Sequence, residues 1–347
     1  MATITNTMTL DGSTSFTSFG RTWAWDTSDP SEGWISTILI DGRSGADAYV
    51  ANVTFSGDWG TRYLRFDPDA SAPMQANITD LSDGGTRLIR LFEIYENVEA
   101  NITLTDTQVH YFRGRGEGDV TLTLGTKTTS GIVLFDGNHT ITAGSGTIRS
   151  MTLGDGDNTV VGIEGSRIDQ ARLGNGTNTV SVATDARIGS LWTGDGNDSI
   201  TLSGSARIYM LKMGQGDNIL TTDSGNVESV YSYLGNNTLN IGTGGVQQVV
   251  LSGEGGTHAI TSDGYLGAVQ VYSASSTTLT LRADAGMVRL GHGGNTISLS
   301  DAASVDVIRG GDARDTVTLA TGTEIDTLRL GAGNDLLRMN GTAVVWN

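Results

Sequence analysis

The sequence predicts an all-β fold: a right-handed parallel β-solenoid of about 20 residues per coil, preceded by an N-terminal β-rich cap. Two ladders carry that prediction. Gly-x-Gly turns open at Leu153 (LGDGDNTVV), Leu173 (LGNGTNTVSV), Thr193 (TGDGNDSITL) and Met213 (MGQGDNILT), each 20 residues after the last. Degenerate copies follow at Tyr233, Gly253, Leu290, Gly310 and Leu330. In phase with them runs a column of Ile148, Ile168, Ile188 and Ile208, continued by Val227, Val246, Leu266, Val305 and Ile325. A second column passes through Met151, Ala171, Leu191, Leu211, Val230, Val249, Val269 and Leu328. One such coil cannot bury its apolar side alone, whereas a stack of coils can.

Each coil reads as two short strands. One follows the glycine turn, as in Thr159-Val160-Val161 and Ser199-Ile200-Thr201-Leu202, and the other has Ile-x-x-Leu-x-Leu character. Short alternating β-branched segments between Gly and Asn turns are strands, and parallel crossovers set a right hand. The spacing of Ile102, Val120, Ile141, Val160 and Val180 carries the coils upstream, so residues 76–347 are assigned to the solenoid.

Residues 1–75 differ, holding all three prolines (Pro30, Pro68, Pro73) and four of the six tryptophans (Trp23, Trp25, Trp34, Trp59). A solenoid needs its open end covered, so this segment is read as an aromatic cap. The sharper alternative is a small sugar- or partner-binding module with exposed tryptophans. At the other end a last strand through Val344 lies close to Trp346-Asn347. An uncovered parallel edge pairs readily with another chain, so head-to-tail association of the protein with itself is expected.

Composition narrows the function classes. With 21 Lys+Arg against 38 Asp+Glu the formal charge is −17. Such a surface repels nucleic acid and attracts divalent cations. The absence of cysteine removes disulfides, Cys-zinc sites and thiol nucleophiles. No apolar stretch reaches membrane-helix length, and MATITNTMTLDG has no basic-then-apolar signal.

The turns also carry a resemblance. GDGND at Gly194–Asp198, GGDARD at Gly310–Asp315 and GAGND at Gly331–Asp335 resemble the RTX, or hemolysin-type calcium-binding, repeat. That resemblance implies calcium between successive turns, held by backbone carbonyls and by the motif aspartate. The positions concerned are Asp198, Gly310, Asp312, Asp315, Gly331, Gly333 and Asp335. It further implies an extracellular or cell-surface protein, exported by a type I system without an N-terminal signal peptide. Two departures stand against it: one motif per coil instead of one per nine residues, and asparagine at the aspartate position in Asn158, Asn178, Asn218, Asn237 and Asn295. Stacked asparagines hydrogen-bond along a column without metal, and that reading is taken for the Asn turns, with calcium for Asp315 and Asp335. Asp155, Asp157, Asp195, Asp217 and Asp312 are expected to contribute general surface acidity.

Arginine also falls in columns: Arg167, Arg187 and Arg207, then Arg289, Arg309 and Arg329. Stacked like charges cost energy unless carboxylates or a bound anion intervene. They are read as locally paired with Asp169, Asp306 or Asp326, the functional alternative being a site for acidic glycan or lipopolysaccharide. The four histidines are scattered, and His139 and His258 are expected to be exposed beside turns. No nucleophile, P-loop or dinucleotide motif is present. A polysaccharide-active enzyme is thus the alternative to a secreted, calcium-assisted structural or adhesive protein. An ice-binding surface needs a regular Thr/Asn array, which the turn residues Asp155, Asn175, Asp195, Gln215 and Ala332 do not supply.

Overall fold

The computed structural model describes residues 3–10, 15–18, 21–24, 34–42 and 48–346, other than 57, 69–72, 82–85, 97, 254, 273 and 301. Side chains are described from Val50 onward, except those of 67 and 68. The chain forms two compact units, Met1–Gly174 and Asn175–Asn347. Each is a parallel β-solenoid in which successive strands alternate between two sheets.

In the first unit one sheet runs through Ala48–Phe55, Met74–Asp80, Val98–Leu104, Val120–Leu124, Thr140–Ala143 and Thr159–Gly162, with Thr3–Leu10 outside Ala48–Phe55. The other runs through Trp34–Gly42, Trp59–Pro68, Arg87–Ile94, Thr107–Gly114, Gly131–Val133, Thr147–Thr152 and Arg167–Arg172. The described strands before residue 75 therefore join the same two sheets, and residue 75 lies inside the strand Met74–Asp80. One antiparallel pair, Ser15–Ser18 with Arg21–Ala24, stands apart from them. Trp59 is buried, edge-on to Phe55 at 5.1 Å, with its indole N–H donating to the Ser56 carbonyl. Pro30 and the side chains of Trp23, Trp25 and Trp34 lie outside the described residues.

The second unit has nine strands in each sheet, from Thr179–Val182 to Leu336–Met339 and from Arg187–Trp192 to Val344–Val345. Its register follows the sequence ladders. Ile188 faces Ile208, then Val227, Val246 and Leu266 follow; Ala285 fills the rung before Val305 and Ile325. Val345, one residue beyond the predicted Val344, pairs with Ile325. In the first unit the rung with Ile102 and Ile141 is Leu122, two residues on from the predicted Val120. Both residues face inward because side chains alternate along a strand, so spacing alone does not separate them.

The Ile-x-x-Leu spacing has a local cause. In Arg167–Arg172 both Asp169 and Gln170 face outward between buried Ile168 and Ala171. The pairing with the neighbouring coil skips residue 169, running Ile148↔Ile168 and then Ser150↔Gln170. Two outward residues in succession break the alternation and turn a corner in the strand. Inside, aliphatic side chains from both sheets fill each coil, and in the first unit Phe92 stacks on Phe112 at 4.7 Å.

Candidate functional site

The glycine turns bring backbones into close contact, which accounts for the residue type. Gly196 and Gly216 have φ of 131° and 126°, and a Cβ on either would meet the carbonyl oxygen of the previous coil's turn glycine at 2.1 and 2.2 Å. Only glycine takes that conformation at that distance. The turns also pair with one another, Gly196 N–H donating to Gln215 O at 2.8 Å and Gly216 N–H to Leu234 O at 2.9 Å.

Beneath each turn one polar side chain points into the protein, and these residues form a buried column. In the second unit it reads Asn178, Asp198, Asn218, Asn237, His258, Thr277, Asn295 and Asp315, all at most 3% exposed, and then half-buried Asp335. The chemistry repeats. A side-chain oxygen accepts the backbone N–H of the coil before it: Asn178 N–H to Asp198 at 3.0 Å, Asp198 N–H to Asn218 at 3.0 Å, Asn295 N–H to Asp315 at 2.9 Å and Asp315 N–H to Asp335 at 3.0 Å. The amide nitrogen then donates into its own turn, as Asn218 does to the carbonyls of Gly214 and Gly216. Asparagine suits this place because it donates and accepts at once. In the first unit Asn158 repeats the pattern, accepting from His139 N–H at 3.2 Å and donating to Gly154 and Gly156.

Where aspartate replaces asparagine, the surroundings change to supply protons. The Thr193 hydroxyl donates to the second oxygen of Asp198 at 2.5 Å, in a position where neighbouring coils carry Leu173 and Met213. At Asp315 the second oxygen accepts Gly311 N–H at 3.1 Å and sits where a side chain on Gly310 would be. Burial pushes the Asp198 carboxyl up to about 6, against the opposing hydrogen bonds from Thr193 and Asn178. The oxygens of Asp198 and Asp315 are thus turned toward N–H and O–H donors, whereas calcium requires oxygen lone pairs from six to eight ligands. The donor set does not fit the cation there. Among the described residues no three His, Asp or Glu side chains converge on a metal position. Gly331 and Gly333 are exposed in the turn above Asp335, and Asp312 is an exposed partner of His292 at 2.9 Å.

Two features of the turn lie outside the sequence reading. His139 and His258 are buried members of the column, not exposed flanking residues. Burial lowers the pKa of both, and His139 is held by Val120 N–H on one ring nitrogen and the Phe135 carbonyl on the other. Counting 19 residues back from Asn158 or 21 on from Asn237 would have found them. The turn-tip acids, in turn, form exposed ladders of their own. Asp195 accepts Gln215 N–H at 2.9 Å and Asp217 accepts Asn236 N–H at 2.8 Å, so here each side chain accepts from the coil after it. In the first unit Asp136 accepts Asp155 N–H at 2.9 Å. Asp157 N–H donates to Asn138.

The arginine columns lie on the outer face of the second sheet of each unit. In the first unit, Arg167 pairs with Asp169 at 2.8 Å as expected. In the second unit, Arg187 faces Arg207, which lies over the Tyr209 ring at 4.5 Å and 3.7 Å from Glu228. Arg289, Arg309 and Arg329 stand directly opposite one another on three consecutive coils, all exposed. None of the three pairs with a carboxylate among the described residues, so the expected partners Asp306 and Asp326 do not neutralise them. The same outer row continues through Gln270, Val250, Tyr231, Lys212 and Trp192, with Arg289 over the Tyr272 ring at 5.5 Å.

No helix among the described residues is long and apolar enough to cross a membrane. Comparison with known proteins adds no relative: no family model, curated protein or solved structure matches, and what is established of this chain is its parallel β-solenoid fold with coils of about 20 residues.

Proposed function

We propose that this protein is a secreted structural or adhesive solenoid whose second unit binds an extended acidic polymer, such as a uronic-acid or sulfated glycan, along the outer row ending in Arg289, Arg309 and Arg329. One observation supports the reading above the others: three arginines directly opposite one another with no carboxylate among them. Like charges in that arrangement destabilise a sheet, and a polymer with one anionic group every few ångströms relieves the repulsion. Guanidinium forks suit carboxylate and sulfate oxygens. Tyr231 and Trp192 in the row, and Tyr272 against Arg289, add aromatic surface of the kind that packs on sugars. Kinship with RTX-type repeats belongs to the same proposal, supported by the Gly-x-Gly-x-(Asn/Asp) turns, as does an extracellular setting.

Titration calorimetry of the full chain with alginate, and with neutral dextran as control, tests this. Alginate binding weakens at least tenfold between 50 and 300 mM salt if several ion pairs form, as an order-of-magnitude expectation from screening. Arg309→Gln together with Arg329→Gln weakens it further, while raising thermal stability slightly by removing the like-charge contact. Equal binding of alginate and dextran, or no loss in the double variant, would refute the proposal.

A further inference from the structure

The outer face of the turn-side sheet in the second unit has a composition unlike the rest of the molecule. Its strands, from Thr179–Val182 to Thr316–Leu319, pair residue by residue across eight coils. Each strand presents two outward positions in common register. Of these sixteen, ten are threonine, three serine and one asparagine, the exceptions being Ile219 and Ala259. None is charged in a chain that is 17% charged. The inner of the two columns contains Thr201, Thr221, Asn240, Thr261, Thr280 and Ser298 without interruption. None of these side chains is buried, and none hydrogen-bonds to another protein group among the described residues.

We propose that this face binds ice. The inference concerns a different surface from the arginine row and does not depend on the glycan reading. Strand spacing sets a repeat of about 4.8 Å along each column, and two residues of strand set about 6.6 Å between columns. These repeats lie close to the two oxygen spacings of a prism face of hexagonal ice. Threonine is stiff at χ1, so its hydroxyl and methyl are held in a fixed relation on every coil. The hydroxyls are free to order a layer of water, and the methyls limit how else that water can arrange itself. Side-chain ladders are a device that keeps a parallel sheet flat over many strands, and the turns carry both buried and exposed ones. Neutrality points to the same occupant, because ice offers no counter-charge and a charged group would have to be desolvated against it. A second copy of the chain is the weaker occupant: it brings the same net charge of −17, and two hydroxyl faces bury little apolar area. The turn residues, where a regular array is lacking, are not the relevant surface.

The test is ice-affinity partition and thermal hysteresis of the full chain, beside Thr221→Asp with Thr280→Asp. Both substitutions are outward-facing, and an unchanged circular-dichroism melt confirms that the variant is folded. The wild type should be incorporated into a growing ice hemisphere and should show hysteresis, with at least a tenfold loss of either in the variant. Exclusion of the wild type from ice overturns the proposal, as does equal incorporation of the folded variant. Sedimentation is the third readout: a dimer that the variant abolishes, without ice activity, assigns the face to a second copy instead. Binding to microcrystalline cellulose without ice activity likewise overturns it.

Discussion

The two units solve the same problem, holding coil upon coil in register, with different chemistry. In the first, between the strands Met74–Asp80 and Thr107–Gly114, charge does much of the work. Asp80 and Arg87 form a fully buried ion pair at 2.5 Å. Asp80 also accepts the N–H groups of Asp106 and Thr107, and Arg87 donates to Leu81 O and the Thr107 hydroxyl. On the outer face Arg65, Glu93 and Arg113 stand opposite one another on three coils, alternating in sign, with Arg115 donating to Glu93 at 2.7 Å. In the second unit the register is held by the polar column of Asn, Asp, His and Thr under the turns, and its arginine row is left uncompensated. The difference goes with coil length. Steps between paired residues in the first unit run from 19 (Ile141↔Val160) to 28 (Thr61↔Ile89) and 45 (Ile4↔Tyr49). A repeated side chain is confined there to short runs such as Asn52, Asn77 and Asn101; in the second unit the steps stay between 18 (Thr278↔Thr296) and 21 (Thr238↔Ala259). A regular period permits one residue type to be reused on every coil, and an irregular one needs specific pairs. The uncompensated row then stands out as a surface with a ligand to find.

The largest expected effect breaks the first scheme. Arg87→Met leaves the Asp80 carboxylate buried without its partner, a change that costs about 3–5 kcal/mol. A melt of the full chain should show early loss of structure, and hydrogen exchange should place that loss in residues 74–114 first. The second scheme is broken by Asn218→Ala. It removes the acceptor for Asp198 N–H and the donor to Gly214 and Gly216, at a cost of about 3 kcal/mol for the buried groups left unpaired. Exchange should rise in the turns on either side of residue 218, and little in the first unit.

Smaller effects sharpen the comparison by improving the column. The folded Asp198 carboxyl titrates at about 6, above its ordinary 3.8, because burial disfavours the charge. Its contribution is therefore complete below about pH 4 and is lost as the pH rises through about 6. Asp198→Asn should remove that slope and stabilise the protein by about 1–2 kcal/mol at pH 7. His139 and His258 act in the opposite sense. Their lowered pKa means stability present above 6.5 and lost as the pH falls below it, so a pH series on the Asp198→Asn variant should show the acid-side loss alone. Thr277 occupies the column between His258 and Asn295, and its hydroxyl is buried with no partner. Thr277→Val should raise stability by about 1 kcal/mol, since an unmade buried hydrogen bond costs that much or more. The smallest effect is that of a chelator. If N–H donors hold the carboxylates of the column, EDTA leaves the melting temperature unchanged, and a fall of several degrees would place a cation at the turns.

Much of the second unit was legible because its information is periodic. Ile188, Ile208 and Leu191, Leu211 recur at one spacing, and residues so spaced must stack in a solenoid. Asn178 and Asn218 were legible as members of a hydrogen-bonded column for the same reason. The aspartates were legible only as residue types: Asp198 and Asp315 read as candidate cation ligands, and the donors that face them, Thr193 and the Gly311 N–H, come from positions the motif does not mark. His258 and Thr277 were hidden because the column holds several polar residue types, and only position identifies them.

What the sequence determined by itself, then, is the coil: its length, its inward residues and its glycine turns, all consequences of local alternation and a repeated period. Tertiary structure decided which polar groups meet across coils. It set the pairing of Asp80 with Arg87 and of Glu93 with three arginines, the burial of two histidines, and the isolation of Arg289, Arg309 and Arg329. Those outcomes depend on the register between neighbouring coils, and a shift of a single residue moves every side chain to the opposite face.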